Sequence, residues 1–323
     1  MAVFGARTWA QRVDVAGSDR PRRPWRIERW ASPLAALLLV AAVLAAMPAD
    51  DPRQGAETDR LAVAPVPAGA AVAPRGDVFL GAYVGAPYHH RSDVRLKAPG
   101  NTDVTFKDVG WYGEPFKHPL YYGARVAVWS RRTPFGTMVD FTHSKALAYL
   151  DETLAATGTI AGKPVPARTK IGDHLRRLEF THGHNMLTLN GLYRLPNLHA
   201  RVSPYVGLGA GVSLPHSEVQ RKDTRIRTYE YQYTGPVLQA LVGIELRVPG
   251  ISYFFEYKFS IARYEVPLTD ADGDYLPGDL WRQFKRWWSG KAPVGGYLWT
   301  NLASHQVVGG LGVRISRAPA AAR

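Results

Sequence analysis

Val202-Ser203-Pro204-Tyr205-Val206-Gly207-Leu208-Gly209-Ala210-Gly211-Val212-Ser213-Leu214 alternates two kinds of side chain. Val206, Leu208, Ala210, Val212 and Leu214 share one face, while Tyr205, Gly207, Gly209, Gly211 and Ser213 share the other. Successive side chains of a strand point to opposite faces, so this segment reads as a strand with one unbroken apolar surface. The glycines on its second face leave room for bulky neighbours inside a narrow barrel.

The same period recurs along the chain. It predicts strands over Asp77–Ala86, about Leu120–Ser130, Gly136–Ala146, Leu178–Arg194, Val237–Val248, Ser252–Arg263 and His305–Ile315. Their apolar faces carry residues such as Val126, Val139, Leu189, Leu238, Tyr253 and Leu311. Arg125, Asp140, Gln239, Glu256, Lys258, Gln306 and Arg314 fall on the opposite parity. Apolar-out, polar-in alternation is the pattern of a strand facing lipid on one side and a lumen on the other. In hydrocarbon an open sheet would leave backbone groups unpaired, so the expected fold is all-β, an eight-stranded antiparallel transmembrane β-barrel with long extracellular loops. Its interior would be packed with side chains. A soluble eight-stranded ligand-binding barrel is the other solution, disfavoured by the outward aromatics of Ser252–Arg263.

Connections set the orientation. They are short at Arg131–Phe135, Leu195–Arg201 and Pro249–Ile251, and long after the first, third, fifth and seventh strands. Short turns then face the periplasm and long loops the exterior. Before the strands, a basic stretch, Arg20 to Arg29, precedes the apolar run Pro33 to Met47. This order fits a secretory signal, and the run is short for a spanning helix, although an uncleaved anchor is the other reading. Residues 1–49 read as a signal with an extended basic leader, 50–76 as a Pro/Ala-rich periplasmic spacer, 77–316 as the barrel and 317–323 as a tail. The expected location is the outer membrane, reached through the barrel assembly machinery, as a monomer. The last strand ends at Ile315-Ser316 without the aromatic residue usual in such barrels.

The 323 residues contain no cysteine, which excludes disulfides and thiolate chemistry, and carry a formal net charge of +13. Much of that charge lies in the long loops and the N-terminal flank, and in the loops arginine forks suit phosphates and anionic lipid. Arg176, Arg177, Arg225 and Arg227 are the candidate phosphate-binding residues, and ordinary solvated loop charge is the plainer reading. No recognition motif points to nucleic acid. Trp281, Phe284 and Trp288 follow helical spacing among basic residues, which suits either a short interfacial helix or an aromatic lid. Asp270, Asp272, Asp274 and Asp279 lack the pattern of a calcium loop and read as an acidic turn.

A polar constellation is expected at the outer rim, from Asp140, Ser144, Glu179, His182, His184, Asn185, His216, Ser217 and Glu218. His182 and His184 are two apart, so a regular strand would aim both imidazoles to one side. With Glu218 and Asp140 they form a candidate divalent-metal set. Glu179, His182, His184, His216 and Glu218 are equally candidates for acid-base work. A hydrogen-bonded polar plug is the bland alternative. Ser144 or Ser217 with His182 and Glu218 would supply the residue types of a hydrolase.

Several segments resemble the outer-membrane lipid A oxidase group of rhizobia and related bacteria. They include Pro119–Arg125, Val139–Lys145, Leu178–Asn185, Pro204–Gly211, Pro215–Val219, Tyr231–Pro236 and Phe255–Lys258. The resemblance implies an enzyme that oxidises the proximal glucosamine of lipid A to an aminogluconate unit in the outer leaflet. Molecular oxygen would be co-substrate, a divalent cation the cofactor, and lipid A or lipopolysaccharide the partner. The alternatives are a non-enzymatic structural or surface-binding outer-membrane barrel and a lipid A deacylase. The long loop before the last strand and the small, basic run Gly158–Gly172 depart from the family pattern.

Overall fold

The computed structural model describes residues 77–130 and 132–316. The expected signal, spacer and tail lie outside the described residues. Eight long strands carry the architecture: β1 (Asp77–His89), β5 (Tyr122–Trp129), β6 (Phe135–Ala148), β10 (Leu175–Arg194), β11 (Val202–Ser213), β14 (Gly235–Val248), β15 (Ile251–Pro267) and β16 (Tyr297–Ser316). They pair antiparallel in the order β1-β5-β6-β10-β11-β14-β15-β16, and β1 also pairs with β16 from Asp77↔Ser316 to His89↔Ser304. Between them lie β2 (Ser92–Ala98), β3 (Thr102–Val109), β4 (Trp111–Tyr112), β7 (Thr153–Ile160), β8 (Lys163–Pro164), β9 (Arg168–Lys170), β12 (His216–Arg221), β13 (Arg227–Tyr231) and helix α1 (Leu276–Trp288).

The expected eight-stranded transmembrane β-barrel with long extracellular loops is therefore not the architecture. The main sheet holds sixteen strands, and its hydrogen bonding runs on from β16 through β2, β3, β7 and β8, with β12 and β13 branching from β10. The expected loops are strands because their inward positions are apolar: Val94, Leu96, Val104, Phe106, Leu154 and Ala156 are all buried. Their outward positions, such as Arg95 and Lys97, are exposed and charged. Among the described residues no helix is long and apolar enough to cross a membrane.

The long strands change polarity along their length. Near β14–β16 turns and through the middle of the strands, outward residues are apolar and exposed, including Leu208, Leu238, Val242, Tyr253 and Leu311. Inward residues there include many polar, charged and aromatic side chains, with Met138, Leu192, Leu241 and Val308 among them. Further along β15, the inward side becomes Ala262, Tyr264 and Val266, all fully buried. The outward side becomes Arg263 and Glu265, both exposed. Two interiors follow. The first packs Phe79, Tyr83, Trp129, Tyr205 and Phe254; the second packs Leu96, Phe106, Phe180, Tyr264 and Leu298 beneath the intervening strands.

Ion pairs tie the first interior. Arg125 grips Glu256 through two bonds of 2.9 Å and meets Asp140 at 3.1 Å. Lys258 reaches Asp140 at 2.6 Å and donates to Thr142 at 3.1 Å. Tyr205 donates to Glu256 at 2.8 Å. Two cations thus face two carboxylates, and all four are buried. Gly123 sits where the Tyr83 ring lies, a space that a Cβ would invade. Lys258→Met should destabilise the protein by about 3–5 kcal/mol by leaving Asp140 and Glu256 to share Arg125 as their one cation. Adding Asp140→Asn should recover a large part of that loss, as read by denaturant unfolding in detergent; a double variant no more stable than the single one would refute the pairing argument.

Candidate functional site

The expected constellation separates into two places. Glu179 on β10 pairs in register with Glu218 on β12. Arg177 donates to Glu179 at 2.7 Å and lies 3.3 Å from Glu218, and Arg227 donates to Glu218 at 2.9 Å. The His182 and His216 rings stand 5.1 Å apart, with Tyr229 against both. His216 Nε2 donates to the Gly273 carbonyl at 2.8 Å. Glu179, His182, His216 and Glu218 thus gather on the outer sheet.

His184 does not join them. Between Phe180 and His184 the register with β6 shifts, and Gly183 takes φ +140. That bulge turns His182 out to solvent, while His184 stays fully buried. A bulge re-aims side chains that regular alternation would hold on one side. His184 Nδ1 hydrogen-bonds the Tyr264 hydroxyl, and its ring lies 5.7 Å from that of His89. Asn185 Oδ1 accepts from His143 Nδ1 at 2.8 Å, and Asn185 Nδ2 donates to the Leu214 carbonyl at 3.2 Å.

Asp140 is further still. It pairs with Arg125 in the first interior, whereas Leu147 is the β6 residue opposite Glu179. From Asp140 to Leu147 is about 23 Å of extended strand. The candidate metal set of His182, His184, Glu218 and Asp140 is therefore corrected. Among the described residues no group of three or more His, Cys, Asp or Glu could hold a metal ion. The serine-hydrolase reading also loses its geometry, because the buried hydroxyls of Ser144 and Ser217 have no hydrogen-bond partner.

Burial and the neighbouring charges set the electrostatics of this group. Burial, reinforced by Glu218 and opposed by Arg177, raises the Glu179 carboxyl above its ordinary range. Burial lowers the His216 imidazole, against the opposing pull of its bond to the Gly273 carbonyl. The Glu179 hydrogen bond chiefly raises the Arg177 guanidinium. Of the four expected phosphate-binding arginines, Arg177 and Arg227 are thus engaged by carboxylates; Arg176 and Arg225 are exposed on the outer surface.

Sequence reasoning missed the docking of α1. Its N-terminal Asp279 accepts from the Tyr231 backbone at 3.0 Å, Gln283 accepts from the Tyr233 backbone at 2.7 Å, and Arg286 donates to Glu230 at 3.0 Å. These contacts lie at helical spacing on one side. Trp281, Phe284, Trp287 and Trp288 remain exposed on the other. The run of aromatics signalled the helix, but not that its polar face would hold it to the sheet.

No family model and no curated protein sequence matches the chain. The solved structures similar at a distance include these three. The Yersinia pestis attachment invasion locus protein Ail, solved with the heparin analogue sucrose octasulfate, has TM-score 0.30 and 10% identity, covering 75% of this chain and 99% of its own. Neisserial surface protein A has TM-score 0.31 and 10% identity, covering 74% and 96%. The outer membrane protein AlkL, solved in DMPC bilayers, has TM-score 0.35 and 13% identity, covering 80% and 99%. Likeness this distant fixes no property of the present chain. His184 lies inside and Asp140 lies deep among the first interior's charges, so the ligand set behind the lipid A oxidase, oxidoreductase, metal-binding and enzyme readings does not assemble, and those readings are corrected.

Two outcomes follow from the site. His184→Ala should cost about 1–3 kcal/mol by orphaning the buried Tyr264 hydroxyl, and His182→Ala should stay within about 0.5 kcal/mol. Comparable losses at both positions in thermal melts would contradict the bulge assignment. For Glu179, a carboxyl raised in the folded state favours folding most when protonated; that advantage fades as pH rises from about 4 through the folded value. Glu179→Gln should raise the melting temperature at neutral pH and lose that gain near pH 4.

Proposed function

We propose that this chain is a non-enzymatic outer-membrane protein whose long strands sit in the lipid and whose strand-rich outer part binds surface ligands. The observation that carries the reading is the inverted polarity of the long strands. Leu208 is 72% exposed and Leu238 62% exposed, while Lys258 and Glu256 are fully buried. A protein surrounded by water gains by burying the first pair and exposing the second. The opposite placement is favourable when hydrocarbon surrounds the strands. Backbone satisfaction agrees, because each long strand hydrogen-bonds a neighbour on both sides, as a lipid environment requires.

The outer part obeys the opposite rule. Arg95, Asp103, Lys107 and Asp93 form exposed ion pairs over a buried apolar core. That is the behaviour of a watery surface. Outer-leaflet lipid is the partner that both zones meet, and lipid A or lipopolysaccharide is the anionic lipid that suits exposed cations such as Lys97, Arg176 and Arg225.

Leu208→Arg with Leu238→Arg should cost about 2–4 kcal/mol per site if those positions lie at the bilayer midplane. The protein should then be lost from the outer-membrane fraction of expressing cells. A double variant that still fractionates with the outer membrane at the wild-type level would sink the reading.

A further inference from the structure

Helix α1 leaves an open cleft between its C-terminal half and the outward faces of β14–β16. The cleft has a volume of about 750 Å³ and is lined by Arg263, Arg286, Lys291, Tyr233, Trp287 and Tyr297, among others. That volume suits a small ligand or headgroup. Glu265 is the carboxylate in its wall. Arg286 is already engaged by Glu230 at 3.0 Å. Among the described residues, no ion pair engages Arg263 or Lys291, and both are exposed. Two cations outside any ion pair therefore border one cleft, with one carboxylate beside them.

Its height on the strands is informative. The outward residues of β15 run Tyr257, Phe259, Ile261 and then Arg263. Ile261 is an exposed apolar residue, and Arg263 follows about 7 Å further along the strand. The cleft therefore opens where the apolar belt gives way to charge. Beside it, α1 is held by its polar face and presents Trp281, Phe284, Trp287 and Trp288 outward. A helix with aromatics on its free face and basic residues beside them lies favourably at a bilayer interface.

We propose that this cleft binds the phosphate-bearing headgroup of an outer-leaflet lipid. Arg263 and Lys291 hold the phosphate, the indole of Trp287 walls the headgroup, and the acyl chains descend along Leu238 and Ile261. A guanidinium fork matches phosphate oxygens, and the lysine adds a compact charge. The inference rests on the membrane reading above and assigns it a ligand class and a place.

The test uses the full chain reconstituted in phosphatidylcholine nanodiscs containing diphosphorylated lipid A as the probe. Retained lipid A is read by native mass spectrometry. Arg263→Gln with Lys291→Gln should lower retention about tenfold or more, and Arg263→Lys with Lys291→Arg should restore a large part of it. Wild-type protein should retain dephosphorylated lipid A no better than the neutralised variant retains the phosphorylated form. Equal retention by wild type and neutralised variant overturns the proposal, as does displacement by millimolar inorganic phosphate, which assigns the cleft to a free anion. In either case, insertion into the nanodisc leaves the membrane reading standing. Failure of the wild type to insert brings down both.

Discussion

Two cations and two carboxylates enclosed among β5, β6 and β15 constrain everything around them. Arg125, Asp140, Glu256 and Lys258 are out of reach of water, so each must find its counter-charge within the protein. A buried charge without a partner is far costlier than an apolar residue in the same place. The register must therefore set Arg125 opposite Asp140, as β5 and β6 do, and bring Glu256 and Lys258 from β15 to the same level. A one-residue slip of any of these strands would send its charge outward and a valine or tyrosine inward. The network is thus better viewed as a lock on register than as a source of stability.

That lock also explains what was legible in the sequence. Strands with a strict period of two and charges on one parity reveal both their extent and their inward face. Arg125, Glu256 and Lys258 could be placed inside from alternation alone. The intervening strands were harder, because polarity is reversed there: Arg95 and Lys97 face water, and Val94 and Leu96 form an ordinary core. Short runs of that kind, broken by glycine and proline, have the composition of loops. Their pairing partners are remote in sequence, as when β3 meets β7. No local window contains that information.

The candidate site failed for a different reason. Alternation assigns His182 and His184 to one side only while the strand is regular. Gly183 at positive φ permits a bulge that the residue types on either side do not announce. One local irregularity moves an imidazole from interior to surface and disperses a plausible ligand set. Asp140 was misplaced by height rather than by face: its inward parity is right, but it lies deep among the interior charges. Parity is readable from sequence, whereas height depends on the stagger of neighbouring strands.

The polar groups that do meet argue for holding strands together. Glu179 and Glu218 face one another across β10 and β12, a repulsive pairing if left alone. Arg177 and Arg227 flank them, and each carboxylate meets a guanidinium of the same sheet through its Oε1. A general base or metal ligand must keep a lone pair available for the reacting group. Here one oxygen of each carboxylate is committed to the joint between β10, β12 and β13. The same economy appears at α1, where Asp279, Gln283 and Arg286 are used to moor the helix. Polar side chains are invested in attaching the outer elements, and the aromatic face of α1 is what remains for the surroundings to cover.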